Sequence, residues 1–414
     1  MSGYRPVSRR VIHLSPGDLR QIVGAAARGA ALEGPAVAEF ERAFAAYVGV
    51  KHAVATGSGR LGMRLCLEAW ELPAGGEVLL PAYEDLSVPR AAAKVGLTPV
   101  CVDVDPATGN LDPAALAARI GPETVAVVAA HLFGNPADIT AIREVIGEAE
   151  AASGRRIRLL EDCCHAVGTT AAGQHVGGLG DAGFFSFHAT KPMMTFGGCV
   201  VTTNDDALAA AVRAGASALP FPPPAQLARS VRSAYTMHIL THRRVFPRAL
   251  YPWLRLTDAL GGDPVKLYSG TLRKGVRLRA TEVRYTNLQA AVGLNHLERF
   301  DAALARRREN AAILEAALPT GVERPRRVPG TSDYFFVLYS DDPEALRARL
   351  LRRGVDAGRD LMRDCSGETG DDCPSVKRVR ARSVQIPIYE AIPAEEMRRI
   401  AVVVAEALRG ELRG

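Results

Sequence analysis

Alternation between short apolar strands and amphipathic helices over the first two hundred residues constrains this chain more than any other feature. Runs at 52–55, 77–80, 99–104, 124–129 and 156–160 have the length and apolar content of buried strands, and helical stretches at 36–48, 113–119 and 139–152 separate several of them. Strands joined through helices run parallel, because a crossover of a dozen residues returns the chain to the edge where it started. Parallel strands are apolar on both faces and are covered on both. The expected fold is therefore α/β: a mostly parallel central sheet with helices on both faces. In such sheets ligands sit at the carboxyl ends of the strands, so chemistry is sought there.

The pattern continues with a strand at 199–203, a helix after Asn204-Asp205 and one long helix over 286–317. The tail, 334–414, alternates strand, helix, strand and helix, which reads as a smaller α/β C-terminal domain. A chain of 414 residues exceeds one ordinary domain. The expected division is an N-terminal segment at 1–31, a large ligand-binding domain at 32–280, a connecting helix at 281–317 and a small domain at 318–414.

With 48% hydrophobic and 23% charged residues, the composition is that of a soluble globular protein. The seven cysteines are odd in number and irregularly spaced, the first twenty residues lack the apolar stretch of a secretory signal, and no apolar run is long enough to span a membrane. A cytoplasmic protein with reduced thiols is expected. The net charge of +6 is uneven: residues 207–279 hold twelve Lys/Arg against two Asp/Glu, so this segment is strongly basic and the remainder mildly acidic.

The chemistry-bearing residues cluster after the strand at 156–160. Its apolar run ends in Glu161-Asp162, and His165 follows within EDCCHAVG. After a glycine-rich turn at 177–180, the apolar run FFSFHATK delivers Ser186, His188 and Lys191. Alone, Asp162 reads as a capping or surface acid, and Lys191 as a lysine whose stem is buried and whose head reaches water. Together they suit pyridoxal 5'-phosphate (PLP), which needs a lysine for covalent attachment and an acid for its ring nitrogen, besides donors for its phosphate and a partner for its phenolic oxygen. Desolvation beside the strand favours the neutral amine that attacks an aldehyde. Once released, that amine can carry a proton.

These stretches resemble the DegT/StrS-type sugar aminotransferases, PLP enzymes of the aspartate-aminotransferase fold. EDCCHAVG and GDAGFFSFHATK carry the resemblance, supported by VKHAVATGSG, GLTPVCVDVD, HLFGNPADI, RYTNLQAAVGLNHLERFD and IPIYEAIPAEEMRRI, from about residue 32 to 410. The resemblance implies a Schiff base on Lys191, Asp162 on the pyridine nitrogen, His165 near the phenolic oxygen, Ser186 on the phosphate, and Ser58 and Gly59 in the phosphate turn. It places Arg284 near the active site, with His188 and Glu282 on the substrate side. This chain also departs from the family pattern. Arg60 stands where a threonine follows Ser-Gly, and Asp85 stands where an aromatic ring stacks on the cofactor. That leaves Tyr83 as the expected cover. Glu282 replaces the asparagine that reaches the partner subunit's phosphate, and KPMMTFGG lacks the usual Asn and Glu.

The function expected from the resemblance is transfer of an amino group from glutamate or glutamine to a keto sugar, nucleotide-linked, or a related ketone, by a homodimer whose active sites lie at the subunit interface. Two other readings stay open: a PLP enzyme of another type, such as a dehydratase or lyase, and a non-catalytic PLP-binding regulatory protein. The family's dehydratase relatives carry His at the lysine position, and Lys191 argues against that case. Vicinal Cys163-Cys164 read as small buried residues rather than metal ligands. In the basic insertion, Arg243, Arg244, Arg248 and Arg255 interleave with Phe246, Tyr251, Trp253 and Leu254, a mixture suited to an anionic membrane surface or a lipid-linked substrate. No nucleic-acid motif accompanies the charge.

Overall fold

The computed structural model describes residues 5–188, 191–262, 282–359 and 362–409. Its strands are β1 (His52–Thr56), β2 (Glu77–Pro81), β3 (Tyr83–Glu84), β4 (Thr98–Val102), β5 (Thr124–Ala130), β6 (Arg158–Asp162), β7 (Thr170–Ala171), β8 (Gln174–His175), β9 (Ala182–Ser186), β10 (Cys199–Thr203), β11 (Phe336–Tyr339), β12 (Arg363–Asp364) and β13 (Ser383–Ile386). Seven of these form the main sheet in the order β1-β10-β9-β6-β5-β2-β4. The pairings from β9 to β4 are parallel, and β10 alone runs against its two neighbours. The sheet is thus mostly parallel, as the alternation predicts.

Residue parity shows both faces covered. Val78, Leu80, Ala126, Val128 and Leu160 enter one core with the Gly59–Ala69, Ser87–Lys94 and Asp206–Ser217 helices. Leu79, Val127, Ala129 and Leu159 enter another with the Pro113–Arg119 and Ile139–Ser153 helices. A separate core joins β11 and β13 to the Phe300–Ala317, Pro343–Arg352 and Ala394–Arg409 helices.

The helix expected over 286–317 is two helices, Asn287–Leu297 and Phe300–Ala317. Glu298 and Arg299 separate them, Arg299 at φ −106° and ψ 0°. Its guanidinium turns back to the Asn295 carbonyl at 2.8 Å and to Asp18 at 3.4 Å, while His296 lies 3.3 Å from the same carboxylate. Buried Asp18 is thus contacted from both sides of the break.

The basic insertion folds differently from the exposed stripe the sequence suggests. Its Pro224–Thr241 and Leu250–Ala259 helices bury Phe246 and Leu254 completely. Tyr251 donates to the Leu351 carbonyl at 2.8 Å, and Arg255 to that of Arg352 at 2.9 Å, at the carboxyl end of the Pro343–Arg352 helix. Half of the supposed headgroup-binding mixture is therefore core or helix cap. The same core contains Met194 and Phe196, so the insertion braces the loop that carries Lys191.

That loop is tied down from its other side. Tyr285 donates to Thr195 Oγ1 at 2.7 Å, and Gln289 Nε2 donates to the Gly197 carbonyl at 3.1 Å. Gly198, at φ +95°, lies against the Tyr285 ring, where a Cβ would come within 2.1 Å of Cε2. We expect Gly198→Ala to cost about 2 kcal/mol or more from combined strain and overpacking. Gly147→Ala, on the Ile139–Ser153 helix with open space around it, should instead stabilise by about 0.5–1 kcal/mol. Urea melts of both variants check the sign and size of each change.

Candidate active site

The carboxyl ends of β1, β5, β6 and β9, with the start of β10, meet at a cavity of about 680 Å³, within the range of small-molecule sites. Each strand contributes through the residues just past its end. β1 runs into Gly57-Ser58-Gly59, and Ser58 caps the Gly59–Ala69 helix by accepting from the Leu61 N–H at 3.2 Å. This helix start aims backbone amides at the cavity, an arrangement that favours a phosphate. Gly57 permits close approach of the 282–285 segment: a Cβ would meet the Val283 carbonyl oxygen at 2.1 Å.

At the end of β6 two adjacent acids diverge. Glu161 is fully buried and accepts from the N–H groups of Gly177 (2.9 Å), Leu179 (2.8 Å) and Gly180 (2.6 Å). His131 lies 3.1 Å from it. His131 Nδ1 accepts from the Ala137 N–H, so its Nε2 carries the proton and donates to Glu161. His131, Glu161 and Cys163 lie close enough to share a metal ion, but these hydrogen bonds already engage both His131 nitrogens and both Glu161 oxygens. Glu161 is a structural carboxylate.

Asp162, on the opposite parity, lines the cavity with Lys191 and His165. It accepts from the Cys164 N–H at 2.8 Å. Burial pushes its carboxyl above the usual range, opposed by that hydrogen bond and by the Lys191 ammonium. His165 is sandwiched between Phe133, parallel at 6.0 Å between centroids, and Tyr334, at 4.7 Å. Burial first, then the positive charges of Lys191 and Arg10, hold the imidazole well below its ordinary value and therefore neutral. Lys191 is half-buried, with Nζ 5.8 Å from the centre of the Tyr334 ring.

Of the residues singled out from sequence, Ser58, Gly59, Arg60, Asp162, His165, Ser186, His188, Lys191 and Glu282 all line this cavity. Two do not. Tyr83 is turned into the core, edge-on to Phe133 at 6.2 Å, because the next residue of its strand takes the cavity side. Expected as a cover for the cofactor ring, Tyr83 is a core residue instead. Arg284 points away, its guanidinium over the Phe221 ring at 4.2 Å and 3.9 Å from Glu33. Glu282 is at the mouth, paired with Lys94, whose ammonium keeps its carboxyl below the usual range.

Sequence reasoning missed Glu84, which faces the cavity from β3, and the cations Arg64, Arg90 and Lys94 around the mouth. It also missed Tyr334, Met362 and Arg363, which reach the cavity from the C-terminal part of the chain. Glu84 was detectable as an acid three residues past the end of a buried strand. The others carry no local mark.

The chain matches the DegT/DnrJ/EryC1/StrS aminotransferase family over residues 16–220 and 265–405. It belongs to that family. It is an aminotransferase, as the resemblance implies. A GDP-perosamine synthase of Caulobacter vibrioides is 34% identical over 307 residues, covering 73% of this chain and 68% of that protein. The sugar aminotransferase CalS13 from Micromonospora echinospora has a similar structure, with a TM-score of 0.74, 27% identity, and coverage of 97% of this chain and 99% of that one. DesI, solved with its TDP-sugar product, gives 0.72 at 27% identity, with coverage of 99% and 95%. The Pro224–Thr241 and Leu250–Ala259 helices that brace the Lys191 loop lie between the two matched stretches.

His165 should remain neutral in the unliganded protein as pH falls from 8 through 6. Imidazole nitrogen chemical shifts from isotope-labelled protein, assigned by comparison with a His165→Gln variant, check this; a midpoint at or above 6.5 contradicts the burial argument.

Proposed function

We propose that this aminotransferase holds PLP on Lys191 and moves an amino group from glutamate or glutamine to a nucleotide-linked keto sugar. The observation that carries the reading is the convergence of Lys191, Asp162, His165, Ser186 and the Ser58-capped helix start on one cavity. The donor set fits the cofactor part by part: an amine for attachment, a buried acid for the ring nitrogen, a neutral imidazole for the phenolic oxygen, and hydroxyls with helix-start amides for the phosphate. Arg60 adds charge on the phosphate side.

Bound PLP supplies a protonated ring that takes up the electron pair left when a substrate carbon loses its proton. Asp162 holds the proton at the ring nitrogen, and the low-dielectric wall strengthens that contact. The Lys191 amine would carry the proton between the substrate carbon and the cofactor carbon that bears the transferred nitrogen, in one direction for the donor and in the other for the acceptor. Arg60, Arg64, Arg90 and Lys94 at the mouth suit the diphosphate of a nucleotide-linked acceptor. The relatives named as a GDP-perosamine synthase and as DesI with a TDP-sugar product support that class.

We also infer a homodimer, in which the outward-turned Arg284 serves the neighbouring site, and a cytoplasmic location. Among the described residues, no helix is long and apolar enough to cross a membrane. Exposed Trp253, Leu256 and Leu260 beside exposed Arg243, Arg244 and Arg248 support reversible contact with an anionic lipid surface, at about 1 kcal/mol per arginine.

The purified protein should be yellow, lose its visible absorption on addition of glutamate or glutamine, and after borohydride carry the pyridoxyl group on Lys191 by mass spectrometry of the digest; label on another lysine sinks the assignment. Asp162→Asn should retain PLP yet lose at least a hundredfold in turnover, and a loss under about threefold, or roughly 0.65 kcal/mol of barrier, is incompatible with its role. Sedimentation should show an active dimer, with a fully active monomer ending that inference. Pelleting with vesicles should require anionic lipid and weaken with salt, whereas equal pelleting with neutral vesicles leaves the inserted helices no lipid role.

A further inference from the structure

The cavity contains an acid outside the residues assigned to the cofactor. Glu84 follows the buried strand β2 on β3, and its side chain is 2% exposed. Its Oε1 accepts from the Asp85 N–H at 2.8 Å, and among the described residues its Oε2 has no hydrogen-bond partner. The residue lines the same cavity as Asp162 and Lys191. A buried polar atom without a partner in a native protein calls for an explanation, and one beside a ligand cavity points to the ligand.

The backbone shows that Glu84 is held in place. β3 pairs antiparallel with β12, with Glu84 opposite Arg363 and Tyr83 opposite Asp364. The Cys365 thiol donates to the Glu84 carbonyl at 3.5 Å. The large-to-small contrast at this strand also matters: the bulky Tyr83 fills the core side, so the carboxyl has only the cavity side to occupy.

We propose that Glu84 is a second acid of the cofactor cavity, a positioning residue whose carboxyl takes up or releases a proton beside Asp162 and Lys191 and so sets the pH at which the cofactor-bearing nitrogen of Lys191 changes charge. The inference rests on assignment of the cavity to PLP. Glu84 is surrounded by Asp85 on its own segment, Asp162 from β6, Lys191 from the loop after β9, Cys101 from β4, and Arg363 and Cys365 from the β12 arm. Burial drives its carboxyl well above the usual range, the Asp162 carboxylate adds to that, and Lys191 opposes it. Two acids facing one cation cannot both be charged cheaply in a dry cavity, so one proton stays in the site until pH rises. When Glu84 ionises, its negative charge favours the protonated, cationic form of the Lys191 nitrogen. Removing that charge lets the nitrogen lose its proton at lower pH.

The test uses the full-length protein loaded with PLP and follows the visible absorption of the bound cofactor against pH. Glu84→Gln keeps the size of the side chain and its acceptor for the Asp85 N–H. It should bind PLP in the same ratio as wild type, melt at a similar temperature, and shift the spectral midpoint downward by at least half a pH unit. Glu84→Asp, which keeps an acid on the strand, should shift it less. An unchanged midpoint in Glu84→Gln, or an upward shift, overturns the proposal. So does loss of PLP from Glu84→Gln accompanied by an unshifted midpoint in Glu84→Asp, which marks Glu84 as a packing residue only. Wild-type protein that gives no visible band with PLP overturns the cofactor reading itself, a different outcome from a wild-type titration that the variants merely repeat.

Discussion

The site depends on the buried carboxylate of Glu161, one residue before the acid assigned to the cofactor. Three backbone N–H groups from the 177–180 turn and the His131 ring converge on it. These contacts clamp β6 against the turn that leads into β9, so the two strands that deliver Asp162 and Lys191 are registered to each other before any ligand arrives. A buried carboxylate is tolerated only when its lone pairs are used, and hydrogen bonds to a charged group are worth more than neutral ones. Meeting that requirement also fixes which way Asp162 faces, because strand neighbours point to opposite sides.

The loop that carries Lys191 is held in a comparable way. Tyr285 and Gln289 bind it from one side, and Met194 and Phe196 anchor it in the core built by the inserted helices on the other. A functional lysine is useful when its reach is defined, and defined reach comes from supporting contacts rather than from the lysine itself. The family match is interrupted over this segment, whose two helices pack behind the loop that carries Lys191. Its basic charge is then partly structural: Arg255 caps a helix end and Phe246 and Leu254 are core, while Arg243, Arg244 and Arg248 stay exposed.

Electrostatics divides the cavity into two ends. The interior holds Asp162, Glu84 and Lys191 with a neutral His165, and each of the two acids has one backbone N–H partner, from Cys164 and Asp85 respectively. The mouth holds Arg60, Arg64, Arg90 and Lys94, several already paired with Glu68, Glu368 and Glu282. A ligand with an anionic outer part and a reactive inner part matches that gradient. Exchange of carboxylate partners for phosphates at the mouth would cost little, because the pairs there are solvent-exposed.

By itself the sequence determined the sheet class, most strand and helix positions, and the residues past the ends of β1, β6 and β9. Apolar runs of five to seven residues and short motifs record these locally, and the rule that ligands sit at carboxyl ends converts strand ends into site candidates. Only the tertiary structure decided which side of each strand faced the cavity. Tyr83 and Glu84 are adjacent, and the sequence pointed to Tyr83, yet the core takes the ring and the cavity takes the acid. The same holds for Phe246 and Leu254, whose burial depends on Met194, Phe196 and Leu351 far along the chain. The single helix expected over 286–317 is interrupted at Glu298-Arg299, beside a carboxylate, Asp18, nearly three hundred residues away that contacts both His296 and Arg299. Periodicity says that a side chain has two possible faces; what lies on each face is set by residues that periodicity does not see.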